Sequence, residues 1–139
     1  MSGFVGRYEH SLDVKGRVIL PSKFRPAFDR GGYLSTNHEG CLALWTLEEF
    51  EHQMANKLEA AAINAEERNR ARVWAASSHE VEIDRNGRMA IPGHLRTFAE
   101  LGGEVLVMGA IDRIELWNPS VWETQVAPAA NYFRGGATG

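Results

Sequence analysis

Short β-rich apolar runs and one longer stretch with helical spacing divide this chain into distinct pieces. The runs at residues 5–12 and 17–20 flank the sequence DVKG, and those at 81–83 and 88–91 flank DRNG. Each pair of runs therefore reads as a β-hairpin closed by a glycine-bearing turn. Asp13 and Asp84 suit the opening position of such a turn, because a short carboxylate accepts from backbone N–H groups two residues on; Gly16 and Gly87 supply positive φ without steric cost. Pro21 and Pro92 end the strands and suit the first turn of two short helices, SKFRPAF and GHLRTFAEL. Pro26 limits the first of these, and the glycine pairs at 31–32 and 102–103 close both. Further strands are expected at 33–36 with 41–45 and at 104–108 with 113–117. Between residues 47 and 77 the pattern turns helical, in LEEFEHQMANKLEAAA and AEERNRARVWAA. There Phe50, Met54 and Leu58 form an apolar stripe expected to pack on a neighbouring surface, with the acidic remainder solvated. The final NYFRGGATG offers few packing side chains, so residues 127–139 read as a flexible tail.

The pieces repeat. Sliding the chain against itself by 71 residues sets Leu12 on Ile83, Asp13 on Asp84, Gly16 on Gly87, Arg17 on Arg88, Pro21 on Pro92 and Arg25 on Arg96. After one extra residue LALW (42–45) answers IELW (114–117), and Phe50 answers Trp122. Such an ordered set of identities marks an internal duplication, and two copies alone suit a closed pseudo-twofold body better than a solenoid. Residues 1–139 are read as a single compact domain, with the first repeat and its helical insert over 4–77 and the second over 78–126.

Composition narrows the class. Cys41 is the only cysteine, and the chain begins without the basic-then-apolar signature of a secretory signal, which points to a reducing cytoplasm. No apolar run approaches the roughly 18–20 residues of a spanning helix. The net charge of −3 argues at first against a polyanionic partner. Its distribution argues otherwise: up to residue 30, six cations (Arg7, Lys15, Arg17, Lys23, Arg25, Arg30) face three anions (Glu9, Asp13, Asp29), whereas residues 39–67 hold seven glutamates against Lys57. Separated patches let one face attract a polyanion while another keeps the particle soluble, although a simply solvated surface has the same composition.

A lone D-x-x-G-R reads as a capped turn with an exposed ion pair worth about 0–1 kcal/mol. Repetition changes that reading, because a pseudo-symmetric body presents two turns and two arginines together, with Lys15, Lys23, Arg25, Arg85 and Arg96 around them. A two-stranded β-ribbon or its loop can enter the major groove of DNA, where arginine reads guanine and lysine or arginine holds phosphate. Lys15 and Arg85, inside the turns, are suited to phosphate; Arg17 and Arg88, oriented by the turn aspartates, are suited to bases. Catalytic and metal readings find no support. His10, His38, His52, His79 and His94 lack metal-ligand spacing, Cys41 reads as a small packing residue, and no glycine-rich phosphate loop is present. No cofactor is expected. Trp45, Trp117 and Trp122 read as core anchors.

YEHSLDVKGRVILPSKFR and HEVEIDRNGRMAIPGHLR, with ERNRARVWAASSHEVEID and RIELWNPSVWE, resemble the MraZ family of bacterial transcriptional regulators over residues 4–126. One D-x-x-G-R-x-x-x-P also resembles the wider AbrB-like regulators and antitoxins. The resemblance implies an α+β fold of two tandem AbrB-like repeats forming a pseudo-twofold swapped-hairpin β-barrel with flanking helices. It further implies a homo-oligomeric closed ring, cytoplasmic and nucleoid-associated, that binds short direct repeats in double-stranded DNA upstream of its own operon of division and cell-wall genes. The family's D-x-x-x-R element falls here on Asp13 and Arg17 and on Asp84 and Arg88, with Lys15 and Arg85 inside the turns. Two other readings stay open at this level: an antitoxin-like DNA-binding protein, and an oligomeric scaffold without DNA.

Overall fold

The computed structural model describes residues 3–135. Burial alternates along the outer strand at residues 7–11, whereas residues 42–45 and 105–108 are buried on successive positions, as suits the centre of a sheet covered on both faces. The strands are β1 (Arg7–Ser11), β2 (Arg17–Ile19), β3 (Gly32–Thr36), β4 (Leu42–Trp45), β5 (His79–Val81), β6 (Arg88–Ala90), β7 (Glu104–Gly109) and β8 (Ile114–Trp117). Six of them form one antiparallel sheet in the order β1-β7-β8-β4-β3-β5, while β2 and β6 form a separate two-stranded ribbon. The helices are α1 (Leu47–Ala61), α2 (Ala65–Ser77), α3 (Gly93–Phe98), α4 (Pro119–Gln125) and α5 (Ala130–Phe133), with 3-10 turns at Arg25–Phe28 and Ala127–Ala129. The fold is thus mixed α+β on antiparallel pairing.

The two copies exchange partners. Strand β1 of the first copy pairs with β7 of the second, and β5 of the second pairs with β3 of the first. In the ribbon Arg17 faces Ala90, Val18 faces Met89 and Ile19 faces Arg88; advancing or retreating each residue by one repeat converts the first pair into the last. At the sheet centre Leu42 faces Leu116 and Leu44 faces Ile114 in the same reciprocal way. This corrects the expected self-contained hairpins. The turn closes with Asp13 N–H on Arg17 O at 2.9 Å and Gly16 N–H on Asp13 O at 3.0 Å, and beyond it β1 leaves for β7 and β2 for β6. A three-residue strand has one inward side chain, and only by pairing across copies do Val18 and Met89 become fully buried in a shared core.

That core draws on both copies, from Phe4, Leu20, Phe24, Phe28 and Leu34 to Ile91, Leu95, Val105, Val107 and Leu116. Two smaller clusters pair the sheet with helices. Cys41, Leu106, Met108 and Trp117 pack with Val121 and Trp122 of α4, and Ala43, Trp45, Phe50 and Trp74 pack with Tyr33. Trp45 and Trp117 are buried anchors as the sequence predicts, whereas Trp122 is half-buried, its ring edge-on to Trp117 at 5.6 Å. Ser35, the buried polar residue of this layer, accepts from Trp45 Nε1 at 2.8 Å. Equivalent helices follow β4 and β8 because each has a polar cap. Thr46 Oγ1 accepts from Glu49 N–H, and Asn118 Oδ1 accepts from the N–H groups of Ser120 and Val121.

Four local expectations change. Pro26 lies in the opening turn of the first copy's 3-10 segment and so starts it instead of limiting it. Gly31 does close that segment, at φ +88°, but α3 is closed by Glu100 at φ +57°. Glu100 tolerates this because Glu100 N–H bonds Thr97 O, Leu101 N–H bonds Arg96 O, and Asn118 Nδ2 donates to Glu100 O at 2.8 Å. In the stripe on α1 only Phe50 packs, for it fills the space between Tyr33 and Trp74; Met54 and Leu58 are 45% and 76% exposed. Where the tail is expected to fray, Ala127–Ala129 and Ala130–Phe133 form helical turns, and residues 136–139 lie outside the described residues. Among the described residues no helix is long and apolar enough to cross a membrane.

Candidate nucleic-acid interface

Each turn is built around one aspartate. Asp13 Oδ1 accepts from the N–H groups of Lys15 and Arg17, both at 2.9 Å, and Oδ2 accepts from Arg17 Nε at 2.7 Å. Asp84 repeats this with Asn86 N–H and Arg88 N–H at 2.9 Å and Arg88 Nε at 2.9 Å. The backbone N–H of Arg17 or Arg88 is the largest cause holding each carboxyl below the ordinary carboxylate range, joined by the guanidinium and the second turn amide. Gly16 at φ +76° and Gly87 at φ +79° let the turns close.

Ribbon pairing brings the two turns together. Because Val18 and Met89 point inward, Arg17, Ile19, Arg88 and Ala90 share the outer face of β2 and β6. Arg17 and Arg88 stand on a diagonal of that face, a relationship that separates residues by about 7–8 Å. Ile19 is exposed between them, and Val14, at the tip of the first turn, is wholly exposed. Lys15 and Arg85 are also exposed, but at different turn positions: Arg85 matches Val14, and Lys15 matches Asn86.

Arg25 and Arg96 reach the turns from the opposite copies. Arg25 donates through Nε to Leu20 O at 2.8 Å, and its guanidinium covers the face of Gly87 where a Cβ would stand. Arg96 donates through Nε to Ile91 O at 3.0 Å and covers Gly16, where a Cβ would stand 2.8 Å from its Cζ. Among the described residues, the four guanidiniums of Arg17, Arg25, Arg88 and Arg96 make their hydrogen bonds through Nε, which leaves the Nη groups for an external acceptor. Lys23 is placed elsewhere, its Nζ 5.6 Å from the Tyr8 ring and 5.5 Å from the Phe24 ring. Sequence reasoning missed the contacts of Arg25 and Arg96 with the two glycines, as well as the exposed Val14 and Ile19. The repeat alignment pairs Arg25 with Arg96 and Gly16 with Gly87, yet carries no sign of the crossing. No group of three or more His, Cys, Asp or Glu is placed to hold a metal among the described residues. Burial, then the charges of Glu115 and Glu39, push the Cys41 thiol far above its ordinary value.

Comparison with known proteins places this geometry in context. A family described as "MraZ protein, putative antitoxin-like" matches residues 4–73 and 75–137, one segment on each copy. The chain is 38% identical to "Transcriptional regulator MraZ" of Salinispora tropica over 94% of this chain and 92% of that protein. It is 38% identical to the protein of that name from Acetivibrio thermocellus, over 87% of this chain and 85% of the relative. With the one from Mycoplasmoides gallisepticum it shares 40% identity, covering 86% and 84%.

Proposed function

The chain belongs to the MraZ family, and from that premise we propose that it is a transcriptional regulator, not an enzyme, that binds double-stranded DNA sequence-specifically through its two Asp–Arg turns. One observation carries the reading: Arg17 and Arg88, each oriented by a turn aspartate, lie together on the exposed face of a two-stranded ribbon. A ribbon of that width fits the major groove, and an arginine fork aimed from it matches guanine O6 and N7. Lys15 and Arg85 grip phosphate from the turn tips, and Arg25 and Arg96 add positive charge beside them. Lys23, held beside the Tyr8 and Phe24 rings away from the turns, serves only as a more distant phosphate cation. The reciprocal pairing of β1 with β7 and of β5 with β3 supports two tandem AbrB-like repeats in one pseudo-twofold swapped-hairpin barrel.

Each such unit neutralises only a few phosphates. A closed ring of identical chains bound to successive direct repeats makes every contact after the first intramolecular, raising avidity by about 10²–10⁴. The target is the region upstream of its own operon, the division and cell-wall cluster, and repression is the expected outcome in the cytoplasm at the nucleoid.

The test is footprinting and equilibrium binding on a duplex spanning the region upstream of its own gene. The wild-type chain should protect spaced repeats. Arg17→Ala with Arg88→Ala should weaken specific binding at least about thirtyfold, given about 1–3 kcal/mol for each of two bidentate base contacts. Undiminished binding by the double variant, with fold and assembly intact, would overturn the role of the turns.

A further inference from the structure

We infer that Arg25 and Arg96 are positioning residues that act crosswise, each fixing the base-reading arginine of the opposite copy. The inference rests on the DNA-binding reading above and adds a wiring to it.

Two hydrogen-bonded relays carry it. From the first copy, Arg25 Nε donates to Leu20 O at 2.8 Å, and Leu20 N–H donates to Gly87 O at 2.8 Å. Gly87 N–H then donates to Asp84 O at 2.9 Å, and the Asp84 carboxylate receives Arg88 Nε at 2.9 Å. The mirror relay runs from Arg96 through Ile91 O (3.0 Å), Ile91 N–H on Gly16 O (3.0 Å) and Gly16 N–H on Asp13 O (3.0 Å) to Arg17 Nε on Asp13 (2.7 Å). The guanidinium also closes over the glycine from above, so each turn is held on one side by its own aspartate and on the other by the foreign arginine.

Lysine cannot replace either arginine in this role. It keeps the charge but lacks both the Nε donor set back from the charged end and the planar group that lies on the glycine. Charge-mediated attraction to DNA therefore survives Arg→Lys, whereas turn geometry does not.

The experiment uses the full chain with Arg25→Lys or Arg96→Lys. Amide hydrogen exchange is followed at the turn amides of residues 13–17 and 84–88; the linking amides of Leu20 and Ile91, each of which bonds the turn of the opposite copy, are counted with neither turn. Arg96→Lys should speed exchange at the first turn about tenfold and leave the second unchanged, and Arg25→Lys should do the reverse. Binding is read on the duplex that the wild-type chain enriches from a random-sequence pool. Each variant should bind about tenfold more weakly with the salt slope unchanged. Base preference should relax at the positions lost in Arg17→Ala for Arg96→Lys, and at those lost in Arg88→Ala for Arg25→Lys. Exchange that rises in the substituted residue's own copy, in both turns or in neither overturns the crosswise wiring even if the wild type binds DNA. Crossed exchange with a wild type that enriches no duplex overturns the DNA-binding reading instead, and the positioning role in recognition with it.

Discussion

Arg17 is tied to Asp13 at two levels, its backbone N–H donating to Oδ1 at 2.9 Å and its Nε to Oδ2 at 2.7 Å. Arg88 holds Asp84 in the same way. A free arginine loses about 2 kcal/mol of rotamer entropy when it is fixed. In this fold much of that ordering is present before any ligand arrives, so the aspartates prepare the arginines as well as shaping the turns.

Those aspartates give the protein an acid-sensitive element. Their carboxyls lie below the ordinary range in the folded chain because the turn amides and guanidiniums favour the charged form. The unfolded value is about 3.9, so the stabilisation is present above that pH and is lost as pH falls through the lower folded values. Urea-unfolding midpoints should drop below about pH 4, and the drop should be shallower in Asp13→Asn with Asp84→Asn. An acid limb identical in the wild type and the double variant would contradict this.

Gly16→Ala and Gly87→Ala should each destabilise the fold by about 1–3 kcal/mol, since a non-glycine residue is strained at positive φ. Each new methyl would in addition meet the guanidinium of the opposite copy. Gly102→Ala is the matched control: no atom lies within 4 Å of its added Cβ, and a change within about 0.5 kcal/mol is expected. Thermal unfolding of the three variants separates a turn requirement from a general cost of replacing glycine.

The turns and the long helices were legible because local chemistry decides them. Asp13 and Gly16 make a turn wherever the chain runs, and the helical composition of residues 47–77 produced α1 and α2 as expected. Partner exchange was not legible in the local pattern, and only the family resemblance pointed to swapped hairpins. A period-two pattern tells which side chain of β1 or β2 faces inward, but not which strand lies alongside. Both Arg25 on Gly87 and Arg96 on Gly16 depend on that choice. Glu100 shows the complementary limit. Its positive φ is sustained by Asn118, a residue on a different element, so local propensity pointed to the nearby glycines instead.

The helical insert is held by a three-ring stack, Tyr33 on Phe50 at 4.1 Å and Phe50 on Trp74 at 5.1 Å. Phe50 is the member touched on both sides. Phe50→Ala should cost about 3–5 kcal/mol and speed exchange in α2, while the turns at residues 13–16 and 84–87, which make no part of this cluster, keep their wild-type exchange. Loosening of the turns in this variant would show that insert and ribbon are coupled.

Cys41 is enclosed by Leu106, Met108 and Trp117, and both burial and the negative charges of Glu115 and Glu39 oppose its thiolate. Alkylation requires the thiolate and a path to it, and the folded chain withholds both. A maleimide at pH 8 should leave the native protein unlabelled over a time in which the urea-unfolded chain reacts completely. Because the barrier is enclosure, the native rate should rise with urea in step with unfolding. Cys41→Ala, which removes a buried sulfur without adding a polar atom, should be less destabilising than Cys41→Ser, whose hydroxyl would enter an apolar cluster at a cost of about 1–3 kcal/mol if unpaired. Rapid labelling of the folded chain, or a serine variant as stable as the alanine one, would mean that this end of the sheet opens to water and that Cys41 is more than a packing residue.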